Sequence, residues 1–272
     1  LKMLICGTMT QPIGDSNNMF AGGLGVTPTY LEGAYRRMRD PRQAQVMVQR
    51  DRPFRHRLFE ENLEDEIRVA AEHYGRRVGV TGELLPGLGY ATLQTGPEEN
   101  PTALALYYGY YQGHTHYDRL NLEVYAHNHP LIPDLGYPET ADTFDPRRHG
   151  WLDHTVVHNT VMVDATKQRV GFGDPVAYHR AGWAQMMEAA ADSAYPDKVS
   201  DYRRACFLIQ IDDPMAYCVD FFRVVGGQQH DWIIHGTEAE FSVKGLQLSE
   251  PRALGTLAGP NVPYGKFYDD PN

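Results

Sequence analysis

From about Val78 onward the sequence is cut into short runs of alternating residues by Gly, Pro, Asn and Asp, and this restricts the fold more than any other feature. Runs this short do not make stable helices, but they suit antiparallel strands that turn one face to a core. The candidate strands are Tyr90–Leu93, Ala103–Tyr108, Leu120–Ala126, Thr160–Asp164, Ala184–Ala189, Tyr202–Gln210, Met215–Val224 and His230–His235. Their regular spacing predicts a mainly β fold, a large antiparallel β-sandwich.

The first third reads differently. After a Gly-, Asn- and Met-rich stretch in which Pro12-Ile13-Gly14-Asp15-Ser16 reads as a loop, Thr27-Pro28 looks like a cap with proline at the first helical position. The helix it opens runs to about Met38, and Asp40 or Pro41 starts another that reaches about Gln49. From Leu58 to Arg76, Leu58, Leu63, Ile67, Ala70 and Ala71 share a face, and Gly75 closes the helix. The expected organisation is a short helical segment over residues 1–84 and a sandwich over 85–272, with the boundary near Gly82 to Gly87.

No stretch approaches the roughly 18–20 uncharged apolar residues of a membrane span. A formal net charge of −10 disfavours non-specific nucleic-acid binding, which needs a basic field to displace counterions. Cys6, Cys206 and Cys218 are too few and scattered for a disulfide framework and read as free thiols, with pairing of Cys206 and Cys218 across neighbouring strands as the alternative. The chain opens on Leu1 and its first residues read like the inside of a domain, so it is expected to be a fragment of a longer protein.

Histidine points to the chemistry. Seven of the twelve histidines fall between His114 and His158, where even scatter would place about two. If 114–126 forms one strand, His114, His116 and Asp118 share a face and continue the row of Leu120, Leu122 and Val124. His127-Asn128-His129 has the same spacing but sits before Pro130 where the chain should turn, and it reads as an exposed turn. A metal site built on His116 needs further ligands. Asp134 stands in the apolar run Leu131-Ile132-Pro133-Asp134-Leu135, where a carboxylate is costly unless paired. His158 opens the apolar run that leads to Val163. Each has an ordinary reading, Asp134 as a turn cap and His158 as a hydrogen-bonded core residue. Together with His116 they form a candidate His, Asp, His ligand set.

Other templates fail. Glu123 is too far beyond His116 for a cupin pattern, and metalloprotease, nucleophile-elbow, phosphate-loop and dinucleotide signatures are absent. Gly22-Gly23-Leu24-Gly25 follows no strand.

The ordered stretches Gly113-His114-Thr115-His116-Tyr117-Asp118-Arg119-Leu120-Asn121, Pro133-Asp134-Leu135-Gly136-Tyr137, His158-Asn159-Thr160 and Val163-Asp164, followed by Val219–Val224 and His230–Gly236, resemble the C-terminal domain of heparinase II/III-like polysaccharide lyases, which include oligo-alginate lyases. The resemblance runs from about Leu85 to Gly236. It implies an α/α toroid before the sandwich, of which the helical first third would be the tail. It implies a cleft between them where uronic-acid polysaccharide is cleaved by β-elimination. By position, His114 matches the family's catalytic histidine, and His116, Asp134 and His158 match the ligands of its structural zinc. The implied partner is an acidic polysaccharide or oligosaccharide, and the implied location is periplasmic or secreted.

The toroid tyrosine and the carboxylate-neutralising Asn or His of that family match nothing in this chain and are expected upstream of Leu1, so the chain alone should have little or no activity. Tyr137 reads as packing, and Arg119, Arg147 and Arg148 read as solvated surface charges. Two other function classes stay open: a non-catalytic carbohydrate-binding or structural sandwich, and a metal-dependent enzyme of another kind with an open coordination position.

Overall fold

The structure, a computed structural model, describes residues 1–7, 9–16, 28–49, 59, 61–78, 81–109, 114–136, 151–237, 240 and 242–250. Helices α1 (Pro28–Met38), α2 (Pro41–Gln49) and α3 (Glu64–Tyr74) come first. Pro41 opens α2, and Gly75, at φ 68°, closes α3 by donating its N–H to the Ala71 carbonyl. That left-handed position favours glycine because a Cβ there would crowd the residue's own backbone carbonyl. Leu31, Tyr35, Val46, Met47, Leu63, Ile67 and Ala71 bury the facing sides of the three helices in one cluster. The expected cap Thr27 and the helix start at Leu58 lie outside the described residues.

Eleven strands follow among the described residues. An antiparallel sheet runs β1 (Leu84–Leu85), β2 (Tyr90–Thr95), β3 (Thr102–Tyr107), β4 (Asn121–Ala126) and β5 (His129–Ile132) in chain order. A second antiparallel sheet holds β7 (Asp174–Ala181), β8 (Ala184–Ala190), β9 (Val199–Gln210) and β10 (Ala216–Gly226), again each beside the next. Between them in sequence lies β6 (Val161–Val163), which pairs with β11 (His230–Trp232). Leu93, Leu104, Leu106 and Leu122 from the first sheet meet Met187, Ala189, Cys206 and Leu208 from the second in one core. This is a β-sandwich preceded by helices, the predicted architecture.

The two sheets differ on their outer faces. In β8 and β9 buried positions alternate with more exposed ones, whereas every residue of β2 is buried. Burial on both faces arises because Ile5, Cys6 and Met9 pack onto Tyr90, Ala103, Ala105 and Tyr125. A Gln94 side chain locks this N-terminal strap in place, accepting from the Cys6 N–H at 3.0 Å and donating to the Leu4 carbonyl at 2.9 Å. All three cysteines are free, and Cys206 stands opposite Asp220 rather than Cys218.

Residues 114–118 do not form the expected strand. Asn121 donates its N–H to the Asp118 carbonyl at 3.1 Å, and Leu120 takes φ 61°, so β4 begins only at Asn121 and the proposed shared row from His114 to Val124 does not exist. Left-handed backbone at a leucine costs energy and persists because its surroundings over-determine it. Arg204 from β9 does much of that. Fully buried, its guanidinium forks onto Asp220 at 2.8 and 2.7 Å and donates from Nη1 to the carbonyls of Leu120, at 2.8 Å, and Asn159.

Replacing Arg204 by Met should therefore leave the Asp220 carboxylate without its cation and the Leu120 carbonyl without its donor, and take from the Asn159 carbonyl one of its two donors, at a cost of about 3–5 kcal/mol. For a chain of this size that corresponds to a thermal midpoint about 6–20 °C lower by circular dichroism. Lysine should not restore it, having no planar fork. A variant that melts with the wild type would show that this network is not what holds β9 to the loop.

Candidate metal centre and its neighbouring histidine

Three irregular segments meet where the first sheet ends: the loop 114–120 before β4, residues 133–136 after β5, and 154–160 before β6. Two asparagines join them. Asn121 donates from Nδ2 to Asp134 Oδ2 at 2.8 Å and accepts the Asn159 N–H at 2.9 Å. Asn159 in turn donates to the Pro133 carbonyl at 3.0 Å and accepts the His235 N–H at 2.7 Å. Sequence reading gave neither residue a role. The one available signal was a pair of amides set beside apolar strands, which burial obliges to be fully hydrogen-bonded.

The shared product of these segments is a cluster of His116, Asp134 and His158, at most 2% exposed, whose candidate ligand atoms all lie within 4.8 Å of one another. It is the one such group of histidine, cysteine and carboxylate side chains among the described residues. The rings of His116 and His158 have centroids 5.3 Å apart and tilt by 38°. Asp134 accepts the Gly136 N–H at 2.7 Å on Oδ1, and its Oδ2 faces His158 Nδ1 at 2.6 Å. Burial opposes charge on both partners of that pair, but their mutual attraction prevails: the Asp134 carboxyl is held below its ordinary range and the His158 imidazole above.

Two ring nitrogens in the cluster, His116 Nδ1 and His158 Nε2, are buried without a hydrogen-bond partner. A buried polar atom left alone is costly and calls for an explanation. Two imidazole nitrogens beside a buried carboxylate form a nitrogen and oxygen donor set suited to a divalent cation of intermediate softness, so the residues fit a metal. Glu123 is not in the group. Burial, and then the nearby Asp134 charge, push its carboxyl well above the usual carboxylate range, and the Tyr125 hydroxyl donates to it.

His114 lies at the surface beside this cluster, with 85% of its side chain exposed. Its Nδ1 faces Asp15 Oδ2 at 3.1 Å, and the other oxygen of that carboxylate, Oδ1, lies 3.3 Å from His116 Nε2. The Asp15 N–H also donates to the His114 carbonyl at 2.8 Å. So close an approach requires glycine at position 14, which has φ 54° and where a Cβ would sit 2.1 Å from the His114 carbonyl oxygen. Asp15, read from sequence as part of a loop, was missed, because nothing in the local pattern links it to a histidine about 100 positions away.

Arg119 corrects an expectation. It is 1% exposed rather than solvated, and its guanidinium donates to Asp118 at 2.5 Å, to the His116 carbonyl at 2.5 Å and to the Gly171 carbonyl at 3.0 Å. It props the loop that carries His116. His127 and Asn128, both at positive φ, form the tip of the β4–β5 hairpin, and the exposed His127 and His129 stay out of the cluster. His154 caps the turn at 155–157 by accepting the Val156 N–H at 3.1 Å. Tyr137, Arg147, Arg148, His149, Gly113 and Gly22 to Gly25 lie outside the described residues.

Residues 78–200 match the family described as heparinase II/III-like, C-terminal. The structure is similar to that of heparan sulfate lyase HepC from Pedobacter heparinus, with a TM-score of 0.58 and 15% identity over 83% of this chain and 31% of that one. It is also similar to a heparinase III gene product, with a TM-score of 0.62 and 14% identity over 89% of this chain and 34% of the other. The chain thus spans about one third of the length of these solved proteins. No curated protein matches it.

Proposed function

We propose, from the match of residues 78–200 to the heparinase II/III-like C-terminal family, that this chain is the sandwich-bearing part of a polysaccharide lyase that cleaves uronic-acid-containing polysaccharide by β-elimination. The observation that carries the reading is the convergence of His116, Asp134 and His158 within 4.8 Å beneath an exposed imidazole two residues away, His114. That two solved proteins of this fold are a heparan sulfate lyase and a heparinase III supports the choice of substrate class.

In the elimination, the C5–H bond breaks, its electron pair forms the C4=C5 double bond, the C4–O4 bond breaks, and O4 leaves with a proton. His114 carries one of the two proton transfers. An imidazole with an unperturbed pKa of about 6.5 accepts and returns a proton near neutrality without large driving force in either direction. The other transfer and the neutralisation of the C5 carboxylate belong to residues outside this chain. The elimination consumes no water, so no activated water is required. His116, Asp134 and His158 would hold a zinc ion, which would supply a structural cross-link. These residues hold the loop on which His114 stands, and Arg119 supports the same loop from behind. A glycosaminoglycan or alginate substrate places the protein in the periplasm or outside the cell.

The full-length protein, incubated with a panel of uronic-acid polysaccharides, should produce the ultraviolet absorbance of unsaturated uronates, and elemental analysis should find one zinc per chain. The 272-residue chain alone should give little or no absorbance. No product from the full-length protein on any uronate substrate would overturn the reading, and full turnover by the chain alone would show that the proton-transfer groups have been misplaced.

A further inference from the structure

We propose that Asp15 is a positioning residue whose single carboxylate fixes which nitrogen His114 and His116 each present, one to substrate and the other to the metal cluster. The catalytic half of this inference rests on the lyase reading above. The structural half does not.

An ionised carboxylate only accepts hydrogen bonds, so a ring nitrogen that faces it carries the hydrogen. His114 faces Asp15 through Nδ1 at 3.1 Å, and His116 faces it through Nε2 at 3.3 Å. His114 is thereby left with its lone pair on Nε2, on an imidazole whose side chain is 85% exposed, while Nδ1–H is held. His116 is left with its lone pair on Nδ1, which is the nitrogen that has no partner inside the buried cluster. One side chain therefore sets opposite tautomers on two imidazoles two residues apart. Metal-ligating histidines commonly donate their other N–H to a carboxylate, which fixes the ring and makes the ligand nitrogen more basic. Here the same carboxylate also reaches the proton-transfer residue.

The contact is built into the backbone as well as the side chains. Asp15 donates its N–H to the His114 carbonyl at 2.8 Å, and Gly14 allows the two chain segments to touch. The strap that delivers Asp15 is fastened by the buried Ile5, Cys6 and Met9 and by both ends of the Gln94 amide.

The test uses the full-length protein as wild type and as the variants Asp15→Asn, Asp15→Ala and Asp15→Glu, with selectively ¹⁵N-labelled histidine and saturating zinc. Nitrogen-15 spectra should show His114 in the Nδ1–H form in the wild type. In Asp15→Ala and the isosteric Asp15→Asn that preference should be lost, while melting temperature and zinc stoichiometry at saturation are retained. On a uronate substrate kcat should fall by about 10- to 100-fold with KM unchanged, and Asp15→Glu should recover part of the loss. An unchanged His114 tautomer in Asp15→Ala would overturn the proposal, as would a kcat equal to that of the wild type. If no variant and no wild type turns over any uronate, the lyase reading fails by itself, and the tautomer measurement still decides whether Asp15 orients the two rings.

Discussion

Replacing His114 by alanine in the full-length protein is expected to lower kcat on a uronate substrate by about 10²- to 10⁴-fold, the range seen when a positioned proton-transfer group is lost. The fold should hardly notice. Because 85% of the side chain is exposed and its polar contact is to one carboxylate, removing it should change stability by no more than about 0.5 kcal/mol. The melting temperature should then stay within about 1–2 °C of the wild type. Zinc content should be unchanged, since the cluster residues His116, Asp134 and His158 are intact. If turnover persists at the wild-type rate in a variant of normal stability, His114 does not transfer the proton. A non-catalytic sandwich predicts that outcome.

The opposite pattern is expected for Asp134→Ala. This carboxylate is 1% exposed, accepts from the Gly136 N–H and the Asn121 amide, and faces His158. Its loss takes from the buried His158 imidazole the hydrogen-bonded carboxylate that does most to hold it toward the charged form, leaving only the weaker pull of Asp118 and Asp153. Breaking such a pair costs about 3–5 kcal/mol, and the cluster also loses its one anionic ligand. The variant should contain no bound zinc and should melt about 6–20 °C below the wild type. A strong chelator should lower the wild-type midpoint and leave that of Asp134→Ala where it was. If chelation fails to move the wild-type midpoint, the cluster is an ion pair that holds no metal.

The parts of this molecule that were legible in the sequence follow from strong local rules. Pro41 and Gly75 bound helices because one lacks an N–H and the other tolerates a left-handed backbone. Strands β8 and β9 were legible because one face of each lies on the core, so buried and more exposed positions alternate along them. Asp134 and His158 were legible because ionisable groups inside apolar runs must find partners, and His116 because it lies in the histidine-rich stretch before them. Where the sequence misled, the deciding contacts were distant. Strand β7 escaped notice because most of it is exposed and carries no alternation, and β5 because Pro130 stands in it, which an edge strand tolerates. Residues 114–118 looked like the start of β4 because the left-handed turn at Leu120 is imposed by Arg204 from the other sheet. Arg119 and Arg204 resemble surface charges in any local window, and only the fold reveals that both are buried. Asp15, Asn121 and Asn159 act by bridging segments far apart in the chain, and no short motif records such a bridge.

The strap that carries Asp15 also bears on how this protein can be dissected. Ile5, Cys6 and Met9 are roofing for Tyr90, Ala103, Ala105 and Tyr125. An expression clone trimmed to start at residue 85 would strip that cover, present a bare apolar sheet to solvent and invite aggregation. A shortened sandwich should therefore be co-expressed with residues 1–16 or tethered to them, rather than made without them.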